Sequence, residues 1–335
     1  MYPWQSGSNG REETQVVHLN PKSGHWHPDN SHRQRHINIA VAYNVWKYYQ
    51  ATEDVEFMAF QGAEMMIQIA RFWASIATFD KARNRYEIRG VMGPDEYHDG
   101  YPDADPPAGL DNNAYTNVMV VWLLTRARRA LDLVPEFRHR ELWEKLGVRR
   151  EELERWEDIC VRMYVPFHGD GIISQFEGYD DLEEFDWEGY RERYGNIQRL
   201  DRILEAEDDT TDRYKLSKLA DVVMLFFLLP ELELREVFDR LGYPLADGQV
   251  RRNVEYYLAR TSHGSTLSQV VHASVLARID EDQSWERFVA ALESDLHDVQ
   301  GGTTAEGIHT GVMAGTIDIL QRSACGLTIR DGVLW

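Results

Sequence analysis

The chain of 335 residues carries a formal net charge of −20 at pH 7, and 43% of its residues are hydrophobic. This composition is typical of a soluble globular protein with a sizeable core, and the negative charge excludes nucleic acid, whose phosphates need cations. No apolar run approaches the roughly 20 residues of a membrane span, and the amino terminus lacks the features of a secretory signal, so we predict a cytoplasmic protein that binds no membrane.

Helical periodicity dominates the chain from residue 34 onward. In 34–50, one apolar stripe is predicted to consist of Ile37, Val41, Val45 and Tyr48. Further helices are predicted at 56–77, 112–132, 138–164, 215–229, 232–241, 250–260, 266–279, 284–296 and 310–321. Strand patterns are few, with RYEIRG at 85–90 and VLW at 333–335 as the candidates. The chain is therefore predicted to be all-α.

Two long loops, 1–32 and 78–111, separate these helices and are rich in Gly, Pro, Asp, His and aromatic residues. Loops of about 30 residues are uncommon in compact domains and are usually functional. Helices that alternate with functional loops suggest a toroid of helical hairpins. Cys160 and Cys325 match no metal or redox spacing and are predicted to be buried thiols, and no histidine pattern predicts a metal site.

The loop at 85–117, RYEIRGVMGPDEYHDGYPDADPPAGLDNNAYTN, holds the densest group of chemically active residues. It turns at Gly93 and Pro94 and then presents Glu96. If Tyr97 and Tyr101 wall this carboxyl group, desolvation would raise its pKa, as a general acid near neutral pH requires. The residues alone also fit a solvated Asp-Glu turn followed by an ordinary helix cap.

The runs GVMGPDEYH and LDNNAYTN resemble glycoside hydrolase family 65, the maltose, trehalose and kojibiose phosphorylases. The similarity continues through YPWQS at 2–6, the segment 34–54, QFEGY at 175–179 and KLADV at 218–222, and so covers essentially the whole chain. The resemblance implies an (α/α)6 toroid over 1–326 and the start of a C-terminal β-domain over 327–335. It also implies that the family's N-terminal β-sandwich and first barrel helices lie outside this sequence.

The resemblance implies that Glu96 is the proton donor to the glycosidic oxygen. It also implies a set of sugar-binding residues, namely Trp4, Asp95, His98, Asn113, Tyr115, Lys218 and His309. Leu219 departs from the family pattern, which has Gln at this position. A leucine cannot hydrogen-bond a sugar hydroxyl, and losing one such bond costs on the order of 1–3 kcal/mol, so we expect weaker glucose binding.

Two segments with hydroxyl groups and glycines precede predicted helices: SHGS at 262–265 and GGTTAEGIHTGVMAGT at 301–316. The start of a helix attracts anions through its free N–H groups and the positive end of its dipole. Taken alone, such a run is more often only a helix cap. The resemblance implies that the two segments hold inorganic phosphate through Ser262, His263, Gly264, Ser265, Thr304 and Gly307.

The function that the resemblance implies is inverting phosphorolysis of an α-glucosidic disaccharide to β-glucose 1-phosphate and a free sugar. Inorganic phosphate is then the co-substrate, and no cofactor or metal is expected. The first alternative is an inverting hydrolase of the same fold, in which Glu306 activates water. The second is a remnant that folds or binds sugar without turnover. A homodimer is compatible with the family.

Overall fold

The computed structural model describes residues 1–102, 104, 108–300, 303–330 and 333–334. The helices, in chain order, are α1 (Ile37–Thr52), α2 (Val55–Phe57), α3 (Ala63–Ile76), α4 (Ala114–Leu133), α5 (Glu136–Leu146), α6 (Arg150–Arg162), α7 (Trp187–Tyr194), α8 (Leu200–Ala206), α9 (Asp221–Leu228), α10 (Glu231–Arg240), α11 (Gln249–Leu258), α12 (Thr266–Leu276), α13 (Glu281–Leu292) and α14 (Thr310–Asp318). Two π-helical stretches, Met58–Gly62 and Ile319–Ala324, continue α2 and α14. This predominance of helix confirms the predicted all-α class.

Within the described residues, the strands form four antiparallel hairpins of two strands each. They are β1 (Val17–Leu19) with β2 (Trp26–Pro28), β3 (Thr78–Asp80) with β4 (Arg85–Glu87), β5 (Phe167–His168) with β6 (Ile172–Ile173), and β7 (Ile329–Arg330) with β8 (Val333–Leu334). Strands β4 and β8 fall within the two predicted strand segments. The assignment of 327–335 to a further domain stays a prediction.

The helices pack as a curved series of hairpins. Helix α1 contacts α3 and α4, α4 contacts α6 and α9, α9 contacts α11 and α12, and α12 contacts α13 and α14. The helices α1, α4, α9, α12 and α14 therefore form an inner row, with α3, α6, α11 and α13 outside it. Residues 114–124 of α4 are all buried, because this inner helix is enclosed by neighbours on every side.

Three parts of the helix prediction are corrected by the structure. The predicted helix at 138–164 is divided into α5 and α6 at Gly147, which adopts a left-handed conformation with φ of +58°. Helix α9 begins at Asp221 and not at 215, because Ser217 forms a β-bridge with Thr261. Helices α7 and α8 were not predicted. Helix α7 has no fully buried residue, but its partly buried Trp187, Tyr190 and Tyr194 pack against a small second hydrophobic cluster.

The predicted apolar stripe of α1 is correct for Val45, which is buried, and for Val41, which packs against the core, but wrong for Tyr48. Tyr48 is exposed, and the buried residues of this helix are Asn38, Ile39, Ala42, Val45 and Trp46. Helix α1 packs against two helices at once, so its buried face is broader than one stripe. Cys160 is buried as predicted, whereas Cys325 is exposed just after the second π-helical stretch. Within the described residues, no helix combines the length and apolar character needed to cross a membrane.

Candidate active site

The N-terminal ends of inner helices meet at the acid loop, which we define as residues 93–98. Gln34, just before α1, directs its side-chain amide at Glu96 Oε1, with 3.4 Å between the nitrogen and the oxygen. Asn113 caps α4 by accepting from the backbone N–H of Thr116, and its Nδ2 donates to Asp221 Oδ2 of α9 at 2.5 Å. The positive ends of several helix dipoles therefore lie on one side of the molecule, an arrangement that favours anions.

The segment before α12 reaches the same place. Gly264 has no space for a side chain, since a Cβ there would lie 2.7 Å from the Tyr97 hydroxyl and 3.1 Å from Lys218 Cγ. The Ser262 hydroxyl is 2.9 Å from the same Tyr97 hydroxyl. The SHGS segment is thus packed directly against the acid loop, and its phosphate-binding role stays a prediction.

An open cleft of about 760 Å³ lies beside Glu96. Its walls are the β1–β2 hairpin, the residues that follow it, the acid loop, α8, the turn at 209–212 and Lys218. This volume is typical of sites for small molecules. Trp26 lines the cleft with 66% of its surface exposed, and its flat ring is suited to packing against a sugar.

Glu96 and Lys218 form an ion pair at the cleft. The Glu96 side chain is 38% exposed and that of Lys218 is 18% exposed. Burial alone would raise the pKa of Glu96, but the charge and hydrogen bond of Lys218, with a hydrogen bond from Gln34, outweigh it and hold the pKa below its ordinary value. The sequence-based expectation of a raised pKa is therefore wrong for this state of the molecule.

The two tyrosines expected to wall Glu96 point elsewhere. The Tyr97 hydroxyl donates to the backbone carbonyl of Gln198 at 2.7 Å and accepts from the backbone N–H of Leu200 at 3.1 Å. The Tyr101 hydroxyl donates to the carbonyl of Glu177 at 2.9 Å. Both rings anchor the loop to the rest of the protein and leave the Glu96 carboxylate open to the cleft.

A buried polar network fixes the acid loop from behind. Asp221 Oδ1 accepts from the backbone N–H of Asp95 at 2.6 Å, and Asp95 Oδ1 accepts from the backbone N–H of Lys218 at 2.9 Å. Gln175 bridges the Asp95 carboxylate and the Asp221 backbone, donating from Nε2 to Asp95 Oδ2 at 3.2 Å and accepting from the backbone N–H of Asp221 at 2.6 Å. The backbone on both sides of the Glu96–Lys218 pair is therefore held by one network.

The charge of Asp95 affects the other carboxyl group of this network. Burial and the neighbouring charge of Asp95 raise the pKa of Asp221 to about 8. Gly93 is required here, because a Cβ at that position would lie 1.9 Å from Asp221 Oδ2. The Gly of the GPDEYH run thus makes room for the carboxylate that holds the loop.

His98 and Asp212 extend the network on the other side. His98 Nε2 is 3.0 Å from the Tyr214 carbonyl, and its Nδ1 is 3.7 Å from Asp95 Oδ2. Burial would lower the pKa of His98, but Asp95 and Asp212 reverse that effect and raise it. Burial raises the pKa of Asp212 to about 6, even though His98 opposes it. His98 is a buried electrostatic partner and does not face the cleft.

The other predicted sugar-binding residues are not gathered at the cleft. Asp95, Asn113 and Tyr115 are buried and contact protein groups, so direct sugar contact is not possible for them in this structure. Trp4 is half-buried, and its ring packs at 5.6 Å from the ring of His36, in front of α1. Burial lowers the pKa of His36 to about 4.

Leu219 belongs to the main hydrophobic core and is 7% exposed. The side chain at this position therefore packs behind the cleft. The departure from Gln affects the packing of the core, and its expected effect on glucose binding stays a prediction.

The predicted phosphate ligands of the SHGS segment are not all placed alike. Ser262 and Gly264 contact the acid loop as described above, and Ser265 makes no side-chain capping bond to α12. His263 instead directs Nδ1 to the Ser268 hydroxyl at 2.8 Å, and its ring packs on His272 at 4.8 Å. Burial lowers the pKa of His263 well below its ordinary value, so its imidazole is neutral and points along α12.

The segment 303–309 is fixed by Asp295. Asp295 Oδ1 accepts from the Thr304 hydroxyl at 3.1 Å and lies 2.6 Å from His309 Nδ1, while Oδ2 accepts from the His309 backbone N–H at 2.8 Å. Gly307 is exposed with φ of +147°. These residues do not line the cleft beside Glu96. The Glu306 side chain lies outside the described part of the structure.

Several residues of the cleft were not predicted. Arg199 and Asp201 form a two-pronged ion pair, and His18 Nε2 lies 3.1 Å from Glu205 Oε1. Trp26, which also lines the cleft, was not predicted either. Among them only Trp26 belonged to a recognised class of sugar-binding side chain, and its exposure could not be read from the sequence. Within the described residues, no group of three or more His, Cys, Asp or Glu is placed to hold a metal ion.

A second cavity, of about 660 Å³, lies at the C-terminal ends of α1, α9 and α12. Leu228, Leu234 and Val275 contribute to its mostly apolar wall, and Lys47 and Arg322 lie at its edge. None of the predicted site residues lines this cavity. We therefore place the candidate active site in the cleft beside Glu96.

A row of helical hairpins, with a carboxylate and a lysine paired at the N-terminal ends of its inner helices, defines an all-α domain with a candidate active site at one end. The chain belongs to glycosyl hydrolase family 65, whose central catalytic domain matches residues 1–318. This finding confirms the family resemblance of the sequence.

Relatives of this chain include phosphorylases. The chain is 57% identical over 331 residues to an uncharacterized glycosyl hydrolase of Mycobacterium tuberculosis, which covers 99% of this chain and 25% of that protein. It is 40% identical over 334 residues to the trehalose 6-phosphate phosphorylase of Lactococcus lactis, and this match covers 99% of this chain and 42% of that protein. The chain thus spans between a quarter and about two fifths of these relatives.

A solved structure of a candidate kojibiose phosphorylase from the human microbiome is also similar. It matches with a TM-score of 0.71 and 24% identity, covering 89% of this chain and 40% of that one. At this identity the likeness concerns the fold alone. It confirms the predicted (α/α)6 helical toroid.

Proposed function

We propose that this chain catalyses phosphorolysis of an α-glucosidic disaccharide, releasing β-glucose 1-phosphate and a free sugar. The observation that carries the proposal is the position of Glu96, whose carboxylate opens to a cleft of about 760 Å³ while Asp95, Tyr97 and His98 beside it are buried. Family membership and the phosphorylase of Lactococcus lactis support phosphate as the acceptor. The substrate class is an α-linked glucose disaccharide, with or without a phosphate group on the leaving sugar.

In the proposed reaction, protonated Glu96 gives its proton to the glycosidic oxygen as the bond from that oxygen to the glucosyl C1 breaks. A phosphate oxygen attacks C1 from the opposite face, so the configuration at C1 inverts. Because phosphate is itself the nucleophile, no second catalytic carboxylate is needed, unlike in an inverting hydrolase. No cofactor is required. Homodimeric assembly and a cytoplasmic location remain predictions.

The charge distribution around Glu96 supports a phosphate site. Lys218 supplies a cation at the cleft, and the backbone around Gly264 packs against the stem of this lysine. The N-terminal ends of α1, α4, α9 and α12 point to the same region, and each contributes a partial positive charge. Lys218 and these helix ends provide local positive groups for an anionic co-substrate, although carboxylates outnumber cations among the described residues that line the cleft.

Hydrolysis would need a second carboxylate that is free to activate water. Within the described residues, the carboxylates that line the cleft besides Glu96 each have a protein partner; they are Asp29, Asp99, Asp201, Glu205, Asp209 and Asp212. Asp201 binds Arg199, and Glu205 accepts from Asn20 Nδ2 at 2.9 Å. Asp29 accepts from the backbone N–H of Ser31 at 2.9 Å. This engagement supports phosphorolysis over hydrolysis.

The test is the release of β-glucose 1-phosphate by the purified chain from maltose, trehalose, kojibiose and trehalose 6-phosphate, each with and without inorganic phosphate. Phosphate-dependent formation of the β-anomer would support the proposal and identify the leaving sugar. Glucose release without phosphate would make the chain a hydrolase. If a folded chain that binds the sugars shows no turnover, the proposed activity is wrong for it.

A further inference from the structure

The second cavity, of about 660 Å³, has a positively charged lining, although the whole chain has a net charge of −20. Among the described residues that line it are five cations and two carboxylates: Lys47, Arg235, Arg251, Arg278, Arg322, Glu231 and Asp318. Both carboxylates already have a partner, because Glu231 binds Arg235 and Asp318 binds Arg322. The lining therefore keeps an excess of positive charge after these two pairs are counted.

The ammonium group of Lys47 lies at this cavity without a counter-ion. Lys47 is partly buried, its Nζ lies 5.4 Å from the centre of the Tyr43 ring, and it has no hydrogen-bond or ion-pair partner in the described part of the chain. Glu233 attracts it from further away, but this carboxylate already accepts from Trp122 Nε1 at 2.8 Å and from Arg126 Nε at 3.2 Å. Burial lowers the pKa of Lys47, because its charged form loses contact with water. An anion in the cavity would restore the lost stabilisation of that charge.

Helix capping does not account for Lys47. Cations are common in the last turn of a helix, where they face the partial negative charge of its carbonyl end. None of α1, α9 and α12 has a basic residue in its last turn. Lys47 lies more than one turn before the end of α1 at Thr52, so its charge is placed at the cavity and not at the helix end.

The rest of the cavity wall suits an apolar group. Phe226, Leu228, Leu234 and Val275 contribute to it, and the volume lies in the range of roughly 300–1,000 Å³ that is typical of sites for small molecules. Such sites combine an apolar wall with a few polar groups that fix the orientation of the ligand. A ligand that matches both features of this cavity has an apolar body and an anionic group.

We propose that the second cavity is a binding site for a small organic anion with an apolar body, a carboxylate or a phosphate ester, whose charged group pairs with Lys47. The site is separate from the cleft beside Glu96. Helix α9 begins at Asp221, which holds the acid loop, and its eight residues extend about 12 Å to Leu228 at the cavity. The inference goes beyond the proposed phosphorolysis and does not depend on it.

The test compares two fluorescent probes with nearly the same apolar body, the anion 8-anilinonaphthalene-1-sulfonate and the uncharged N-phenyl-1-naphthylamine. The Kd of each is measured by titration against the full chain. Lys47→Met removes the charge and keeps the apolar stem, so it should raise the Kd of the sulfonate about 10-fold and change that of the amine less than about twofold. Lys145→Met is the matched control, because Lys145 pairs with Glu64 at 2.7 Å and does not line the cavity.

A second variant tests where the probes bind. Ala51 lines the cavity and is exposed in the last turn of α1, so Ala51→Trp should fill part of the cavity, leave the fold intact and weaken the binding of both probes. Thermal unfolding followed by circular dichroism checks that each variant is folded. The proposal is wrong if the sulfonate binds equally well to Lys47→Met and Lys145→Met, or if Ala51→Trp binds both probes normally. An equal loss of both probes in Lys47→Met would also overturn it, since the cavity would then select apolar surface and not charge.

Discussion

The acid loop and the segment 303–309 are held in the protein in very different ways. The acid loop is bonded to three separate parts of the chain, through Asp221 on α9, Gln175, and the 3-10 turn at 211–213, where the Thr211 hydroxyl donates to the Tyr97 carbonyl. These groups are largely buried. In the segment 303–309, Thr304 and His309 both contact the side chain of Asp295 at hydrogen-bond distance, and Asp295 lies near the surface.

This difference indicates a division of tasks. A proton donor must be fixed to within fractions of an ångström, and rigid support from several elements achieves this before any substrate binds. Asp295, by contrast, presents a carboxylate to a hydroxyl, a ring nitrogen and a backbone N–H, which are the donors that an incoming anion would use. The first region is preorganised. For the second region, the phosphate-binding role that the family resemblance implies stays a prediction, in which an anion replaces the carboxylate of Asp295.

The largest expected effect is on Glu96. Glu96→Gln removes the transferable proton and keeps the size and shape of the side chain, so phosphorolysis should fall by about 10²- to 10⁴-fold. The rate of β-glucose 1-phosphate release measures this effect. Glu184→Gln is the matched control, since Glu184 pairs with Arg260 outside the cleft. Activity close to that of the unsubstituted chain in Glu96→Gln would rule out the assigned acid.

The second-largest effect on activity is expected when the buried hydrogen bonds that support the acid loop are removed. Asp221→Ala leaves the Asp95 N–H and Asn113 Nδ2 without an acceptor, and each costs about 1–3 kcal/mol of stability. The loop should also move, and a displacement near 1 Å lowers kcat about 100-fold. Kinetics well below the midpoint of thermal unfolding measure this loss.

A variant with a similar loss of stability separates loop position from fold stability. Arg138→Leu removes the bond from Arg138 Nε to the Ala59 carbonyl at 3.1 Å, which joins outer parts of the molecule. It should lower the temperature of unfolding without changing kcat. If Asp221→Ala behaves like Arg138→Leu, Asp221 supports the fold and does not position Glu96.

The raised pKa of Asp221 also predicts how the stability of the folded chain depends on pH. Its pKa is about 8 in the folded chain, against an ordinary value of 3.8, because of burial and the charge of Asp95. Between pH 3.8 and about pH 8, Asp221 is protonated in the folded state and ionised in the unfolded state. The free energy of unfolding therefore decreases as the pH rises through this range, and the stabilisation from the bound proton is lost above pH 8. Urea unfolding at pH 6, 7, 8 and 9 should show this decrease. Asp221→Asn should flatten it, and a flat profile in the unsubstituted chain would contradict the raised pKa.

The helices were predictable from sequence where burial imposes a pattern. The predicted segments 266–279 and 310–321 begin at the same residues as α12 and α14, because apolar spacing follows directly from packing. Helix α7, with the sequence WEGYRERY, was missed although Trp187, Tyr190 and Tyr194 pack against a small second hydrophobic cluster, because a helix of eight residues offers only two turns of periodicity.

The candidate site was predictable only in part. The GPDEYH run marked Glu96, but the pKa of this residue depends on Lys218, which lies 122 residues further along the chain. Asp221 lies 126 residues from Asp95 and was recognised only as part of the KLADV run. Local sequence indicates which residue type is present, whereas the charge state of an acid depends on neighbours that only the fold brings together.

Substitution of Asp295 should have the smallest effect on the kinetics. Asp295→Asn removes a negative charge beside Thr304 and His309 and weakens their internal bonds, so these donors become available to phosphate. The KM for phosphate should fall a few-fold with kcat unchanged, and because the site is near the surface, stability should change by no more than about 1 kcal/mol. Asp280→Asn is the control, since Asp280 caps α13 by accepting from the Gln283 N–H at 3.0 Å and is not part of this segment. A phosphate KM that rises in Asp295→Asn would show that Asp295 holds the segment in its binding conformation. The segment would then be preorganised like the acid loop, and the contrast between the two regions would disappear.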